Sequence, residues 1–333
     1  MRLIEISPNL SPTMGRLEYP RKNMLKTFEI SRMTTHNGPG FRTLVHFKGC
    51  PMRCRWCSTP ESISRDDELG YKAISCIGDG ACIGNCHVQA IEPAADRAMK
   101  VNIIRNRCMR CFTCTSVCYA HALVKIGHDW TVDGLYQEIL KDEAFFKHSD
   151  GGVTFSGGEP LMHMDDDMVV LYQLLFEAGI SICVDTSGFV RWENIERVLP
   201  YVKYFLWDLK YMDATQHKSL TGKDNSIILD NLGKVAATSL QYGTQIFIRC
   251  VQVPGMTDTD ENLHDTCRFL LALDYRDCIV EVGLVNFHHL GKKRYEYLDL
   301  EYPMEGIDPL GIDEMQNKCN LLRSYGFNAR SYM

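Results

Sequence analysis

No apolar run in the sequence approaches the ~20 residues that cross a bilayer. Residues 1–23 mix Pro8, Pro12 and Pro20 with charged side chains and contain no apolar core of a signal peptide. Neither a membrane span nor export is therefore expected, and the chain reads as cytoplasmic. Positive charge is not in excess either. Lys and Arg number 36 against 42 Asp and Glu, a net charge of −6 with a pI near 6.0. A basic surface that would collect nucleic acid is thus not indicated. Without export, a framework of disulfides is not expected in an oxidising compartment.

Cysteine is abundant instead. There are 15, and ten of them lie between Cys50 and Cys118. At 333 residues, 45% of them hydrophobic, the chain is long enough for one large α/β domain and a small one. The cysteines outside that stretch, Cys183, Cys250, Cys267, Cys278 and Cys319, read as small core residues.

The stretch Phe47-Lys-Gly-Cys50-Pro-Met-Arg-Cys54-Arg-Trp-Cys57 places three cysteines at Cys-x3-Cys-x2-Cys spacing, directly after an apolar run at 43–47. Ferredoxin clusters take four thiolates. Three on one tight loop can hold three corners of a cubic [4Fe–4S] cluster and leave one iron open to a ligand. A structural zinc site missing one local ligand is the alternative. Upstream, Thr35-His-Asn-Gly-Pro-Gly-Phe-Arg42-Thr43 marks a tight loop into that first strand. Arg42 either balances the charge of a thiolate cluster or makes a surface salt bridge.

Further on, Cys108-x2-Cys111-x2-Cys114-x3-Cys118 has the spacing of one half of a two-cluster bacterial ferredoxin. The preceding Cys76-x2-Asp79-x2-Cys82-x3-Cys86 repeats it with Asp79 in the second ligand position. In such ferredoxins the fourth cysteine of each half binds the other cluster. The expected sets are Cys76, Asp79, Cys82 and Cys118, and Cys108, Cys111, Cys114 and Cys86. A carboxylate suits iron less well than a thiolate in a sulfur site. The Asp79 corner is Asp-ligated, water-ligated or lost to give [3Fe–4S], or Asp79 is a turn residue between two glycines. His87 and Tyr119 stand where a proline often follows the fourth cysteine. A zinc-binding insert is the alternative for the whole segment.

From Thr131 onward helices and strands alternate. Strands are expected at 152–155, 181–184, 204–207, 245–251 and 279–284, with 43–47 as the first. Helices are expected after the cap Thr131, after 165–167, at 192–199, through Leu240, from near Asp260, and at 313–324. Six strands joined by helical crossovers imply a parallel sheet with right-handed connections, as an open partial (βα)6 barrel. Its active groups should lie at the C-terminal strand ends. There the sequence offers Ser156-Gly157-Gly158-Glu159-Pro, Asp185-Thr186, Asp208-Leu-Lys210, Arg249 ahead of Val253-Pro-Gly255, and His288. The expected division is an extension at 1–26, the barrel at 27–64 and 126–333, and a ferredoxin-like two-cluster insert at 65–125.

The Cys50–Cys57 loop and Gly157-Gly158-Glu159 resemble the signatures of radical S-adenosylmethionine (SAM) enzymes. From about Thr27 to Tyr325 the chain resembles the glycyl-radical-enzyme activating enzymes. The likeness rests on Asp208-x-Lys210 with Asp213, His217 and Thr221-Gly222, and on Val285-Asn-Phe-His288-His-Leu-Gly291-x-x-Arg294-Tyr295-Glu. Asn37 replaces the usual Asp of the Gly-Pro-Gly segment, and Asn286, Phe287 and Arg294 replace Pro, Tyr and Lys. The resemblance implies that Cys50, Cys54 and Cys57 ligate a SAM-binding cluster, that Trp56 and Ser58 flank it, and that Gly158 meets the SAM amino group. It implies that Lys210 and His288 line the SAM pocket, and that Asp185, Thr186 and Asp208 hold a monovalent cation near the SAM carboxylate. Ser58-Thr59 departs from the family's pattern, so Thr59 carries no assigned contact.

The implied activity is reductive cleavage of SAM to a 5′-deoxyadenosyl radical, which takes hydrogen from a backbone glycine of a partner glycyl radical enzyme. Electrons would come from a flavodoxin or ferredoxin through the insert clusters, three clusters in all, in an anaerobic setting and in a monomeric protein. The insert points away from pyruvate formate-lyase and toward diol or choline lyases, aryl decarboxylases or hydrocarbon-adding synthases. The competing readings are a radical SAM enzyme acting on a small molecule or peptide, and an iron–sulfur electron carrier. Arg323-Ser-Tyr-Gly326-Phe327 looks like a glycyl-radical segment, but Gly326 after a helix reads as its stop.

Overall fold

The computed structural model describes residues 24–95 and 99–332. The segment read as an N-terminal extension lies outside the described residues except at its end, where Leu25 already starts a strand. Strands β1 (Leu25–Thr34) and β2 (Arg42–Phe47) pair antiparallel. The turn between them uses Gly38 and Gly40 at φ +110° and +72°, conformations that glycine alone adopts without strain.

Next come the small elements of the cysteine-rich segment: β3 (Glu68–Tyr71), α1 (Ala81–Gly84), β4 (Ile91–Pro93), β5 (Val101–Ile103), α2 (Thr113–Ser116) and β6 (Leu123–Ile126). β3 pairs with β6 and β4 with β5, both antiparallel. The chain then runs β7 (His128–Trp130), α3 (Val132–Leu140), α4 (Glu143–Ser149), β8 (Gly152–Gly157), α5 (Asp166–Glu177), β9 (Ser181–Thr186), α6 (Trp192–Glu196) and β10 (Val202–Asp208). It ends with α7 (Ala214–Thr221), α8 (Ser226–Tyr242), β11 (Gln245–Gln252), α9 (Asp260–Ala272), β12 (Ile279–Asn286), α10 (Lys292–Leu298), α11 (Ile312–Ser324) and β13 (Ala329–Tyr332). Among the described residues no helix is long and apolar enough to cross a membrane.

The six expected strands are adjacent and parallel in the order β2, β8, β9, β10, β11, β12. The sheet has nine strands rather than six. β1 and β7 add an antiparallel edge, and β13 adds a parallel strand at the other edge. Polar caps start the helices where their side chains can meet free N–H groups: Thr131 accepts from Gly134 N at 3.0 Å and Asp165 from Met168 N at 3.0 Å. Gly326 lies at φ +89° just after α11, as a helix stop does.

The period of two along each strand separates the faces. Val45, Phe47, Phe155, Val184, Phe205, Trp207, Ile248 and Val282 share one core with the covering helices. Ser156, Asp185, Asp208 and Arg249 alternate with them, so the sequence carries these groups toward one opposite face.

Arg42 corrects the sequence reading. It sits at the start of β2, away from the cysteine loop that follows the strand's end, and is fully buried. Its guanidinium donates to Thr154 Oγ1 (2.7 Å), Pro39 O (2.9 Å), Val153 O (2.6 Å) and Ser181 O (2.7 Å). It neither balances a cluster nor forms a salt bridge; it staples the N-terminal ends of β2, β8 and β9. Burial holds its pKa below the ordinary arginine value, with Cys183 and Tyr204 opposing. Arg42→Met should cost about 3 kcal/mol or more, because buried carbonyls lose charge-assisted donors. A lowered thermal midpoint with an unchanged iron content would show it.

Candidate functional site

The cysteine loop is held by backbone contacts on every side. Gly49 N donates to Ser62 O (2.7 Å) and Cys50 N to Ile63 O (3.2 Å), closing the loop's base. Glu159 N donates to Gly49 O at 2.8 Å, tying the base to the end of β8. Arg53 N and Arg55 N donate to Thr221 O (2.8 Å) and Leu220 O (3.1 Å), so the end of α7 grips the outer turn. From the other side Tyr295 OH donates to Cys57 O at 3.0 Å. A side chain on Gly291 would come within 2.9 Å of Ser58 Cα. Arg294 on α10 pairs with both Glu61 and Glu29, joining the loop to β1. Lys48, its side chain fully buried, donates to Glu61 O (2.5 Å) and Glu68 (3.0 Å), joining the loop to the cysteine-rich segment.

Thus the two motif stretches around Thr221-Gly222 and His288–Tyr295 act as jaws on one loop. The sequence singled them out but did not show what they hold. Trp56 packs toward Val253, Phe287 and Met304. Thr59 Oγ1 lies 3.4 Å from Gly157 O as a donor, so it braces the loop. Ser58 and His288 are exposed at the rim.

All three thiols are free. Burial pushes Cys50 and Cys54 up to about 12, with neighbouring thiols adding to the effect, while Lys210 opposes it at Cys54. Burial also raises Cys57. Three crowded, half-buried thiols resist ionisation until a cationic group neutralises them. Among the described residues no three His, Cys, Asp or Glu side chains close on a point as a single metal ion requires. A cubane asks instead for ligands spread over its corners.

Beside the loop, the strand ends carry paired charges. Lys210 Nζ donates to Asp208 Oδ2 at 2.6 Å, and Arg249 Nη1 lies 3.4 Å from Asp185 Oδ1. Ser156 Oγ donates to Asp185 Oδ2 at 2.7 Å. Asp208 and Arg249 are direct register neighbours on β10 and β11. Burial lowers the Lys210 pKa, but Asp208, Cys54 and Cys50 overcome it and hold the ammonium charged. Burial raises Asp185, against Arg249.

Glu159 is placed behind this rim. Its carboxylate accepts from Thr186 Oγ1 (2.6 Å), Ser187 Oγ (2.6 Å), Ser187 N (2.9 Å) and Leu161 N (3.3 Å). It locks the end of β8 to the end of β9. Thr186 spends its hydroxyl proton on that lock.

In the cysteine-rich segment, positions 32 residues apart share backbone conformation. Gly78 and Arg110 lie at φ +75° and +56°, Gly80 and Phe112 at +75° and +61°, and Gln89 and His121 both at +50°. Cys82 and Cys114 are buried in α1 and α2. Ala90 N donates to Cys86 Sγ at 3.2 Å, and Ala122 N to Cys118 Sγ at 3.3 Å. Arg110 and Phe112 hold the left-handed conformation without being glycine, a cost of about 1–2 kcal/mol each. A repeat that preserves such strain has a geometric job.

A small cleft is lined by Tyr71, Cys76, Ile77, Asp79, Cys82 and Cys118. Burial raises Cys82, with Cys118 and Cys76 adding to it. Burial pushes Cys114 up to about 11, with Cys108 and Cys111 adding. Asp79 Oδ1 also accepts from Ala81 N at 3.2 Å, a turn contact.

No protein-family model matches the chain. The chain is 33% identical over 309 residues to a protein of Tractidigestivibacter scatoligenes named indoleacetate decarboxylase activating enzyme, covering 90% of this chain and 94% of that one. Two proteins of Oleidesulfovibrio alaskensis are similar as well. The isethionate sulfite-lyase activating enzyme is 35% identical over 282 residues, with 84% and 88% covered. The choline trimethylamine-lyase activating enzyme is 33% identical over 307 residues, with 90% and 95% covered.

Proposed function

Since the chain belongs to the glycyl-radical-enzyme activating enzymes, which are radical SAM enzymes, we propose that Cys50, Cys54 and Cys57 hold a [4Fe–4S] cluster whose open iron takes SAM, and that the product is a glycyl radical on a partner enzyme. The observation that carries this is the three-thiol loop, clamped by backbone bonds against Gly157-Gly158 and beside the Lys210–Asp208 pair. When bound, cluster and SAM supply one-electron cleavage of the sulfonium and the hydrogen-abstracting chemistry.

The chain's own residues bind, orient and shield. The three thiols give up their protons on loading. Gly158, having no side chain, lets the base of the cysteine loop close against it, with Gly49 O and Ser62 O standing where a side chain would begin. Lys210 and Arg249 offer positive charge to a carboxylate. Trp56 and the Phe287 cluster keep water from the loop's outer side, and His288 stands at the mouth. A monovalent cation at Asp185, Thr186 and Asp208 would have to compete with Arg249 and Lys210 for the same carboxylates.

Residues 27–64 and 126–333 are proposed to form the partial (βα)6 barrel. Residues 65–125 are proposed as the insert, with one cluster at Cys76, Asp79, Cys82 and Cys118 and another at Cys108, Cys111, Cys114 and Cys86. The matched positive-φ pairs 32 residues apart support that symmetry. Asp79→Cys tests the corner. If Asp79 leaves a three-iron cluster, the parent holds about eleven irons and the variant about twelve. Equal counts place Asp79 as a ligand or a spectator to a complete cluster.

The relatives named above act with three different partners at 33–35% identity, so overall similarity does not single one out. Anaerobic incubation with SAM, reductant and each candidate partner tests the reading. A doublet radical signal on one partner, with 5′-deoxyadenosine formed, is the expected result. Turnover of SAM to 5′-deoxyadenosine with no radical on any partner, but with a modified small molecule, would overturn it.

A further inference from the structure

Between α10 and α11, residues 299–311 have no helix or strand of their own, yet the segment is tied down from several sides. Asn286, at the end of β12, takes both backbone groups of Leu310. Its Nδ2 donates to Leu310 O (2.9 Å) and its Oδ1 accepts from Leu310 N (3.2 Å). His289 spends both ring nitrogens on the segment. Ile307 O can only accept, so Nε2 donates to it at 2.8 Å, and Nδ1 of the neutral ring accepts from Tyr302 OH at 2.9 Å. Tyr302 also meets the Tyr295 ring edge-on at 5.3 Å, and Lys292 pairs with Glu305 at 2.7 Å.

What the segment carries inward is Met304. Its side chain is fully buried and forms one apolar group with Val253 and Phe287, on which Trp56, Tyr302 and Ile307 pack. Val253 and Phe287 directly follow β11 and β12, so the sheet places them. Met304 is placed by the ties of the segment. Trp56 stands between Cys54 and Cys57 and is half-buried. Its neighbours fix the backbone on either side, Arg55 N on Leu220 O and Cys57 O under Tyr295 OH. Those bonds set the loop's path and leave the rotamer of the indole to the group packed behind it.

We propose that residues 299–311 form a strap that sets the Trp56 indole as a wall of the SAM pocket, with Met304 as its wedge and His289 as the positioning residue that ties it down. The inference rests on the reading that SAM binds beside Cys50, Cys54 and Cys57. A flat ring already packed on one side offers its other side to a ligand without a rotamer left to freeze, and binding gains by the ordering cost it avoids. With the strap released, SAM would have to order Trp56 itself. Affinity for SAM should fall, while the step after binding keeps its rate.

The test is titration of the anaerobically reconstituted, reduced full chain with SAM, read by the change in the electron paramagnetic resonance signal, beside KM and kcat for 5′-deoxyadenosine formation under dithionite. Met304→Ala and His289→Phe should each raise the apparent Kd and the KM for SAM about tenfold, with kcat within about twofold and iron content unchanged. Met304→Leu, which keeps most of the volume, should return both to the parent values. In a Trp56→Ala background His289→Phe should add less than about twofold, because the strap acts through that ring. Parent-like affinity in both single variants, or a full further loss on top of Trp56→Ala, would overturn the strap. Iron lost from both Met304→Ala and His289→Phe together with the affinity would also overturn it, since the segment would then hold the cysteine loop rather than the indole. A parent whose signal does not respond to SAM would overturn the SAM-binding reading itself, and the strap with it.

Discussion

Reconstituted anaerobically, Cys50→Ala/Cys54→Ala/Cys57→Ala is expected to hold about eight irons where the parent holds about twelve, and to form no 5′-deoxyadenosine from SAM under dithionite. The loss should be confined to one cluster because the loop is not built by its thiols. Gly49, Cys50, Arg53 and Arg55 fix it through their backbone N–H groups, and alanine keeps every one of those bonds. Removing three half-buried thiols also removes three groups that desolvation holds hard to ionise. The variant should therefore fold with its insert loaded. Circular dichroism and the remaining cluster absorbance would check that. The converse variant, Cys76→Ala/Cys82→Ala, should lose iron from the insert yet still cleave SAM when dithionite is the reductant. A triple variant that kept its full iron and its 5′-deoxyadenosine would remove Cys50, Cys54 and Cys57 from the centre of the chemistry.

What the sequence discloses and what it hides divide along a physical line. Residue spacing is local, so the Cys-x3-Cys-x2-Cys loop and the cysteine pattern repeated further on could be counted in the sequence. The six parallel strands were readable too, because each is a short apolar run such as 43–47, and the later ones alternate with helices. β7 and β13 are three and four residues long, too short to show a period. β1 alternates weakly and carries charges in mid-strand. Arg42 was misread because nothing local says that a guanidinium will find three carbonyls and a hydroxyl inside the protein.

The jaws on the cysteine loop were hidden for the same reason. Tyr295 and Cys57 are 238 residues apart, and only the fold brings them together. Likewise the pattern marks Glu159 as a group at a strand end, but three of the four hydrogen bonds it accepts come from Thr186 and Ser187, whose approach depends on the register of β8 and β9. That arrangement makes the Gly-Gly-Glu turn a double device. Its carboxylate fixes the sheet's rim, while its backbone takes hold of the cysteine loop.

That second function predicts a large effect from one methyl group. In Gly158→Ala the new Cβ would lie 2.3 Å from Gly49 O and 2.9 Å from Ser62 O, well inside the 3.5–4.0 Å of an optimal carbon contact. Both oxygens are backbone atoms and cannot swing away as a long side chain would. The first accepts from Glu159 N and the second from Gly49 N, so relief must break the bonds that seat the loop. The expected cost is about 1–3 kcal/mol in stability, and the functional loss should be far greater. Iron should fall toward about eight, as in the triple cysteine variant, and SAM should no longer perturb the electron paramagnetic resonance signal of the reduced cluster. Gly233→Ala is the matched control. Gly233 lies within α8, and its new methyl would meet only Leu273 Cδ2, at 3.8 Å. There the same chemical change should stabilise by up to about 1 kcal/mol through helix propensity, with iron and SAM response intact. If Gly158→Ala instead kept about twelve irons and the normal SAM response, the loop would be free to move away from β8, and the clamp would not be what positions the cluster.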